Sequence, residues 1–168
     1  VMVLSSTGEL LTTYGQSGYG DGEFSNASSL TLDAAGNTYV TDTNNNKVVK
    51  FDSQNIFAGN LNSSGGDGDG YFSGPSGVVV RSDGHILISN RYNNSIKEFD
   101  ENGNYIKVLL SYDDGLHGPD KINIDSNGNL FVASQYNASV SIFALSDSTN
   151  KSFALKAENL DCSTTYHY

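Results

Sequence analysis

Cysteine is nearly absent. Cys162 stands alone near the C-terminus of 168 residues, which excludes an internal disulfide framework and leaves a spare thiol in a tail, or a bridge to another chain. Basic residues are scarce too: 9 Lys and Arg against 19 Asp and Glu give a net charge of −10. That balance argues against nucleic acid, whose phosphates are bound by Lys and Arg, and against an anionic membrane surface. No apolar run is long enough to span a bilayer. No stretch keeps a helical period of apolar residues. Proline is limited to two residues and tryptophan is missing, so tyrosine and phenylalanine supply the aromatic bulk. The chain opens on Val1 with no leader, which fits processing or trimming.

What is abundant is turn chemistry between short β-branched and aromatic runs, the composition of an all-β protein. The stretch from Gly66 to Asp100 sets the pattern: an acidic glycine loop ending in Tyr71-Phe72, then Gly74-Pro75, then three apolar runs separated by a Ser82-Asp83-Gly84 turn and an Asn90–Asn94 turn. The same sentence is written before and after it. Aligning the first turn places Gly36, Gly84 and Gly128 in register, a period of about 44–48 residues in the range of propeller blades. Phe24, Phe72 and Leu116 are equivalent, as are Asn45, Asn93 and Asn137, and Phe51, Phe99 and Phe143. Each copy predicts three strands, near 28–33, 38–42 and 47–52 in the first, and a fourth in the connector, near 55–58 and 104–110. Four antiparallel strands per repeat make a β-propeller blade. The first strand, the most continuously apolar, is expected to be the most buried. Val1–Leu4, the turn Ser5–Gly8 and Glu9–Tyr14 fit the third and fourth strands of a preceding blade. Ser152–Ala157 fits the fourth strand of the last.

The division is thus residues 1–14, an N-terminal half-blade; 15–60, blade 1; 61–111, blade 2; 112–157, blade 3; and 158–168, a tail. Propellers close with four to eight blades. Three and a half leave the ring incomplete or irregular, with three resolutions: a longer chain, other chains, or the tail completing a four-bladed ring.

These residues resemble the NHL repeat, with its acidic glycine loop, Phe, Pro, apolar strand, Gly turn, strand ending in Asp, Asn turn, basic residue and strand ending in Phe. Thr38 to Phe51 match it most closely, and the resemblance covers residues 15–145. It implies a propeller whose relatives bind proteins, RNA or glycans, with a few lyases and hydrolases among them. The pattern drifts: the basic Lys47 becomes Ser95 and Ser139, and Asp42 becomes Asn90 and Ser134.

Candidate sites follow. Asp21, Asp67, Asp69, Asp113 and Asp114 recur at blade spacing and would gather on one rim, where Ca²⁺ takes oxygen ligands; Asp-Gly pairs also simply make tight turns. No cofactor beyond such a Ca²⁺ is expected. Relatives that are propeller lyases place a metal-binding His on each of several blades, but His85, His117 and His167 are mutually inequivalent. Asn26, Asn62 and Asn150 are glycosylation candidates in loops, with Asn93 and Asn137 weaker because the turn needs its Asn. Tyr92 and Tyr136, equivalent and beside that turn, are candidates for a protein- or glycan-binding surface. The reading is a non-enzymatic NHL-type interaction or assembly module, extracellular or at the cell surface. Its expected partners are other protein chains, its own copies among them, and glycans. The alternative is a metal-dependent propeller lyase or lactone hydrolase.

Overall fold

The computed structural model of the protein describes residues 1–61 and 70–145, with the backbone alone for 154–156. It is built of three four-stranded antiparallel sheets and a leading hairpin. The hairpin joins β1 (Met2–Leu4) to β2 (Leu10–Thr13). Two short parallel strands follow, β3 (Gln16–Ser17) and β4 (Glu23–Phe24). Blade 1 is then β5 (Ala27–Leu32), β6 (Thr38–Asp42), β7 (Lys47–Phe51) and β8 (Phe57–Leu61). Blade 2 is β9 (Pro75–Val80), β10 (Ile86–Asn90), β11 (Ser95–Phe99) and β12 (Tyr105–Leu110). Blade 3 is β13 (Pro119–Ile124), β14 (Asn129–Ser134), β15 (Ser139–Ala144) and β16 (Ala154–Lys156), in sequence order across the sheet like the others. The fourth strands of blades 1 and 2 begin one or two residues after the expected start.

Strand periodicity distributes each blade's side chains between two neighbours. On β6 and β7, Tyr39 and Val48 point forward into the cluster shared with blade 2, while Val40, Val49 and Phe51 point backward toward the leading hairpin, where Val1 and Tyr14 meet them. On β10 and β11, Ile86, Ile88 and Phe99 point backward to blade 1, and Leu87 and Ile96 point forward to blade 3. The core is therefore three apolar layers, one at each junction, rather than one centre.

The burial order reverses the expectation for the first strand. β6, β7, β10 and β11 are buried almost throughout; of the first strands, β9 is buried over its first four residues, whereas β5 and β13 are mostly part-exposed or exposed. Second and third strands lie mid-sheet with a neighbour on each face. The first strand lies at the inner edge, so its burial depends on blades across the axis and on the inner strands of the blade behind it.

The turns at one end of the blades share one device, an Asp accepting local backbone bonds. Asp33 Oδ1 accepts from the Ala35 and Asn37 amides, and its Oδ2 from Asn37 Nδ2 and the Tyr39 hydroxyl. Asp125 does the same with Asn127 and Asn129, which makes the Asp125–Asn129 stretch a turn, as the repeat alignment implied. Gly36, Gly84 and Gly128 take φ near +85° there (+84°, +89°, +81°), a conformation that disfavours a Cβ. Burial pushes the Asp33 carboxyl up, but its four hydrogen bonds outweigh that and hold it below the usual Asp value. The Asn129 side chain and amide lower Asp125 in the same way, and those of Asn104 lower Asp100. A carboxyl lowered by folding adds stability above its unfolded pKa, about 3.9, and that stability fades as pH falls through the lower, folded value. Urea midpoints are thus expected to hold level from neutrality down to about pH 5 and to drop below about pH 4. In the Asp33→Asn variant the acid drop should be shallower; an unchanged acid limb would count against this assignment.

Candidate functional site

The opposite end of the blades carries the long connections from fourth strand to next first strand and the turns between second and third strands. Here each blade grips the loop that enters it. Asp42, at the end of β6, accepts the amides of Ser25 and Asn26 (3.0 and 2.8 Å) and holds Asn45 Nδ2 at 2.6 Å. Asn90 accepts the Ser73 amide in the same place. Lys47, buried, donates to Gly20 O at 2.8 Å. The drift from Lys47 to Ser95 is compensated two residues on: Lys97, on the same face of the third strand, donates to Tyr71 O.

A second set of bonds runs between blades. Asn46 and Asn94 sit in the left-handed region at φ 51° and 49°. From there Asn46 Oδ1 accepts the Gly74 amide of blade 2 (2.8 Å), and Asn94 Oδ1 accepts the Gly118 amide of blade 3 (2.7 Å). Thr43 Oγ1 donates to Pro75 O at 2.8 Å. Ser89 Oγ donates to Asp120 O at 2.6 Å, and Arg91 pairs with the Asp120 carboxylate. At the axis Lys121 Nζ of blade 3 reaches Ser28 O and Oγ of blade 1 (2.8 and 2.7 Å) and Ser76 O of blade 2 (2.9 Å), tying all three blades. This series stops at blade 3, where Ser89, Arg91 and Asn94 are replaced by Ala133, Gln135 and Ala138. Alanine in place of Asn94 is expected to cost roughly 1–2 kcal/mol, because the buried-side amide of Gly118 loses its acceptor. Chemical denaturation measures it, and a change under about 0.3 kcal/mol would remove the inter-blade role.

Tyr92 and Tyr136 lie at this end, both more than half exposed. Each ring rests on the glycine of its own blade's entering loop: a Cβ on Gly74 would fall 2.5 Å from the Tyr92 ring, and one on Gly118 2.6 Å from the Tyr136 ring. The rings are seated within a blade and not between blades. Tyr112, also exposed, meets His117 edge-on with ring centroids 4.6 Å apart.

Asp21 is exposed and lines a shallow groove with Tyr14, Gln16 and Glu23. Asp113 and Asp114 form a single 3-10 turn; Asp114 Oδ2 is occupied by the Ser111 amide and hydroxyl. Asp67 and Asp69 lie outside the described residues, as do Asn62, Asn150 and His167. Among the described residues no three His, Cys, Asp or Glu side chains gather as a metal-holding set. His85 precedes β10 at the turn end, paired with Glu98 at 2.9 Å, whereas His117 precedes β13 at the loop end. Asn26, Asn93 and Asn137 are exposed, and Asn137 Oδ1 accepts the hydroxyl of Ser139 in its own N-x-S triplet. Sequence reasoning missed Asn46, Asn94, Lys97 and Lys121; the only available signal was an Asn one place before each third strand in blades 1 and 2.

On the leading hairpin the apolar side chains are largely exposed. Met2 and Leu4 occupy the places of Val49 and Phe51, which face backward and are buried in blade 1. Met2 is 71% exposed, and Leu4, Leu10 and Leu11 are exposed beside it.

Residues 72–99 match the family model described as the NHL repeat. No curated protein sequence matches the chain. Among solved structures, a catalytically inactive virginiamycin B lyase from Staphylococcus aureus with quinupristin is similar at TM-score 0.60 and 16% identity, over 80% of this chain and 42% of the lyase. Hydrazine synthase from Kuenenia stuttgartiensis is similar at TM-score 0.59 and 14% identity, over 79% of this chain and 36% of that one. A streptogramin B lyase matches at TM-score 0.58 and 19% identity, over 81% and 42% respectively. At these identities the likeness is one of fold, a β-propeller, and the present chain spans less than half the length of each relative.

Proposed function

Because this chain carries an NHL repeat within an array of β-propeller blades, we propose that it works as a non-catalytic binding and assembly module that joins other protein chains. The observation that carries this reading is the pair of exposed tyrosines at the loop end, Tyr92 and Tyr136, each held on a glycine of its own blade. Rings fixed in this way make a preorganised aromatic surface for protein or glycan partners. The exposed N-x-S asparagines Asn26, Asn93 and Asn137 support an extracellular setting.

The likeness to two lyases favours a second reading, a propeller lyase. His85 and His117 stand at opposite ends of their strands, so those two do not make a shared site, and the module reading is preferred. Light scattering across a concentration series tests it. The expected result is a mass that rises above a single 168-residue chain and falls back in a Tyr92→Ala, Tyr136→Ala variant; a single-chain mass at every concentration overturns it.

A further inference from the structure

The turn end holds one departure that the fold does not ask for. The turn joining first and second strands is built alike in all three blades: the Gly36, Gly84 and Gly128 amides donate to Asp33 O, Arg81 O and Asp125 O, each at 3.0 Å. In blades 1 and 3 the Asp at that place also caps the turn with its carboxylate. Blade 2 has Arg81 instead, whose side chain accepts nothing. Asp83 Oδ1 takes over the His85 amide, at 3.1 Å. A turn that gives up its cap for a cation breaks a local rule, and such breaks concentrate at functional sites.

Arg81 is held firmly. Its side chain is 19% exposed and lies between Asp83 Oδ2 (2.9 Å) and Glu98 Oε1 (3.2 Å). The Glu98 side chain is 5% exposed and also meets His85 Nδ1 (2.9 Å) and Lys107 Nζ (3.5 Å). The repeat does not demand this acid: the place of Glu98 holds Lys50 in blade 1 and Ile142 in blade 3. Glu98 is thus a positioning residue for the guanidinium. Arg81 forms one wall of a cleft of about 360 Å³ between the turns of blades 2 and 3. Ser82 continues that wall, Ser126 and Asn127 from the turn after β13 form the other, and Ile124 and Leu145 of the apolar layer form the floor. The Ser82 and Ser126 hydroxyls have no protein partner among the described residues.

We propose that this cleft binds a neutral sugar. Its volume lies at the small end of ligand pockets, roughly 300–1,000 Å³. Its charges cancel, Arg81 and Lys107 against Asp83 and Glu98 with His85 neutral, so neither an anion nor a cation gains from entering. A sugar hydroxyl both donates and accepts, and the rim offers both: guanidinium donors, the Asp83 and Asn127 oxygens as acceptors, and two serine hydroxyls that do either. The planar fork of Arg81 suits the adjacent oxygens of a vicinal diol, and the aliphatic floor suits the C–H face of the ring. The cleft lies at the opposite end of the blades from Tyr92 and Tyr136, so the inference goes beyond the module reading.

Glucose, galactose, mannose and N-acetylglucosamine are the probes, each titrated into the tens of millimolar against isotope-labelled protein and followed by NMR. At least one is expected to shift the Ser82, Ser126, Asn127 and Gly128 amides saturably. Arg81→Lys keeps the charge beside Glu98 but removes the fork, and should weaken that binding roughly tenfold. Ser82→Ala combined with Ser126→Ala, two exposed positions, should weaken it severalfold with the fold intact by circular dichroism. Tyr92→Ala combined with Tyr136→Ala should leave it unchanged, so the cleft and the module reading stand or fall separately. No saturable shift at these amides with any of the four sugars overturns the proposal. A response to inorganic phosphate or acetate in place of the sugars also overturns it, since the cleft would then be an anion site. So does equal binding by the unchanged protein and the Arg81→Lys variant.

Discussion

Phe99→Ala is expected to cost about 3–5 kcal/mol, the range for removing a large aromatic from a packed core. Phe99 is fully buried between blades 1 and 2. Its ring lies 5.4 Å from that of Phe72 and 5.8 Å from that of Tyr105. It therefore joins three segments: the end of the third strand, the entering loop and the start of the fourth. Truncation would leave a cavity that these three cannot all close, because Phe72 is held by the loop and Tyr105 by its strand. Since domains are stable by only about 5–15 kcal/mol, the variant should be partly unfolded near 37 °C. A urea titration measures the loss, with the midpoint falling and the slope unchanged. A loss under about 1 kcal/mol would mean that the junction between blades 1 and 2 is not a packed core.

Gly77→Val is the second. The chain passes close to the next blade at this residue: a Cβ would stand 2.4 Å from Asp120 O and 2.5 Å from Ser89 Oγ. One obstacle is backbone and the other is already bonded to that same carbonyl, so neither can yield without parting β9 and β10 from β13. Overpacking of this kind costs about 1–3 kcal/mol or more, and the broken Ser89–Asp120 bond adds roughly another 1 kcal/mol. The loss should be local. Amides of β13 and β14 are expected to exchange faster, with those of β6 and β7 unchanged. Uniform acceleration across all blades would contradict a defect at one junction.

The repeat was legible because it is written in residues whose backbone demands are local. Gly36, Gly84 and Gly128 mark the same turn at nearly the same φ, and Phe51, Phe99 and Phe143 lie at or one residue before the end of the same strand. The bonds between blades were not legible in this way. Asn46 and Asn94 read as turn asparagines like their neighbours, yet only they reach the next blade. Gly77 has no repeated counterpart: Ser29 and Lys121 stand in its place. Lys97 takes over from Lys47 at a different position, which an alignment registers as loss.

By itself the sequence determined the repeat, the strands within each copy and the turns between them, because period-two alternation and glycine turns act over a few residues. Tertiary structure decided which faces are covered. Leu30 and Val78 occupy the same place in the same motif, and one is wet while the other is dry, because coverage depends on a neighbour many residues away.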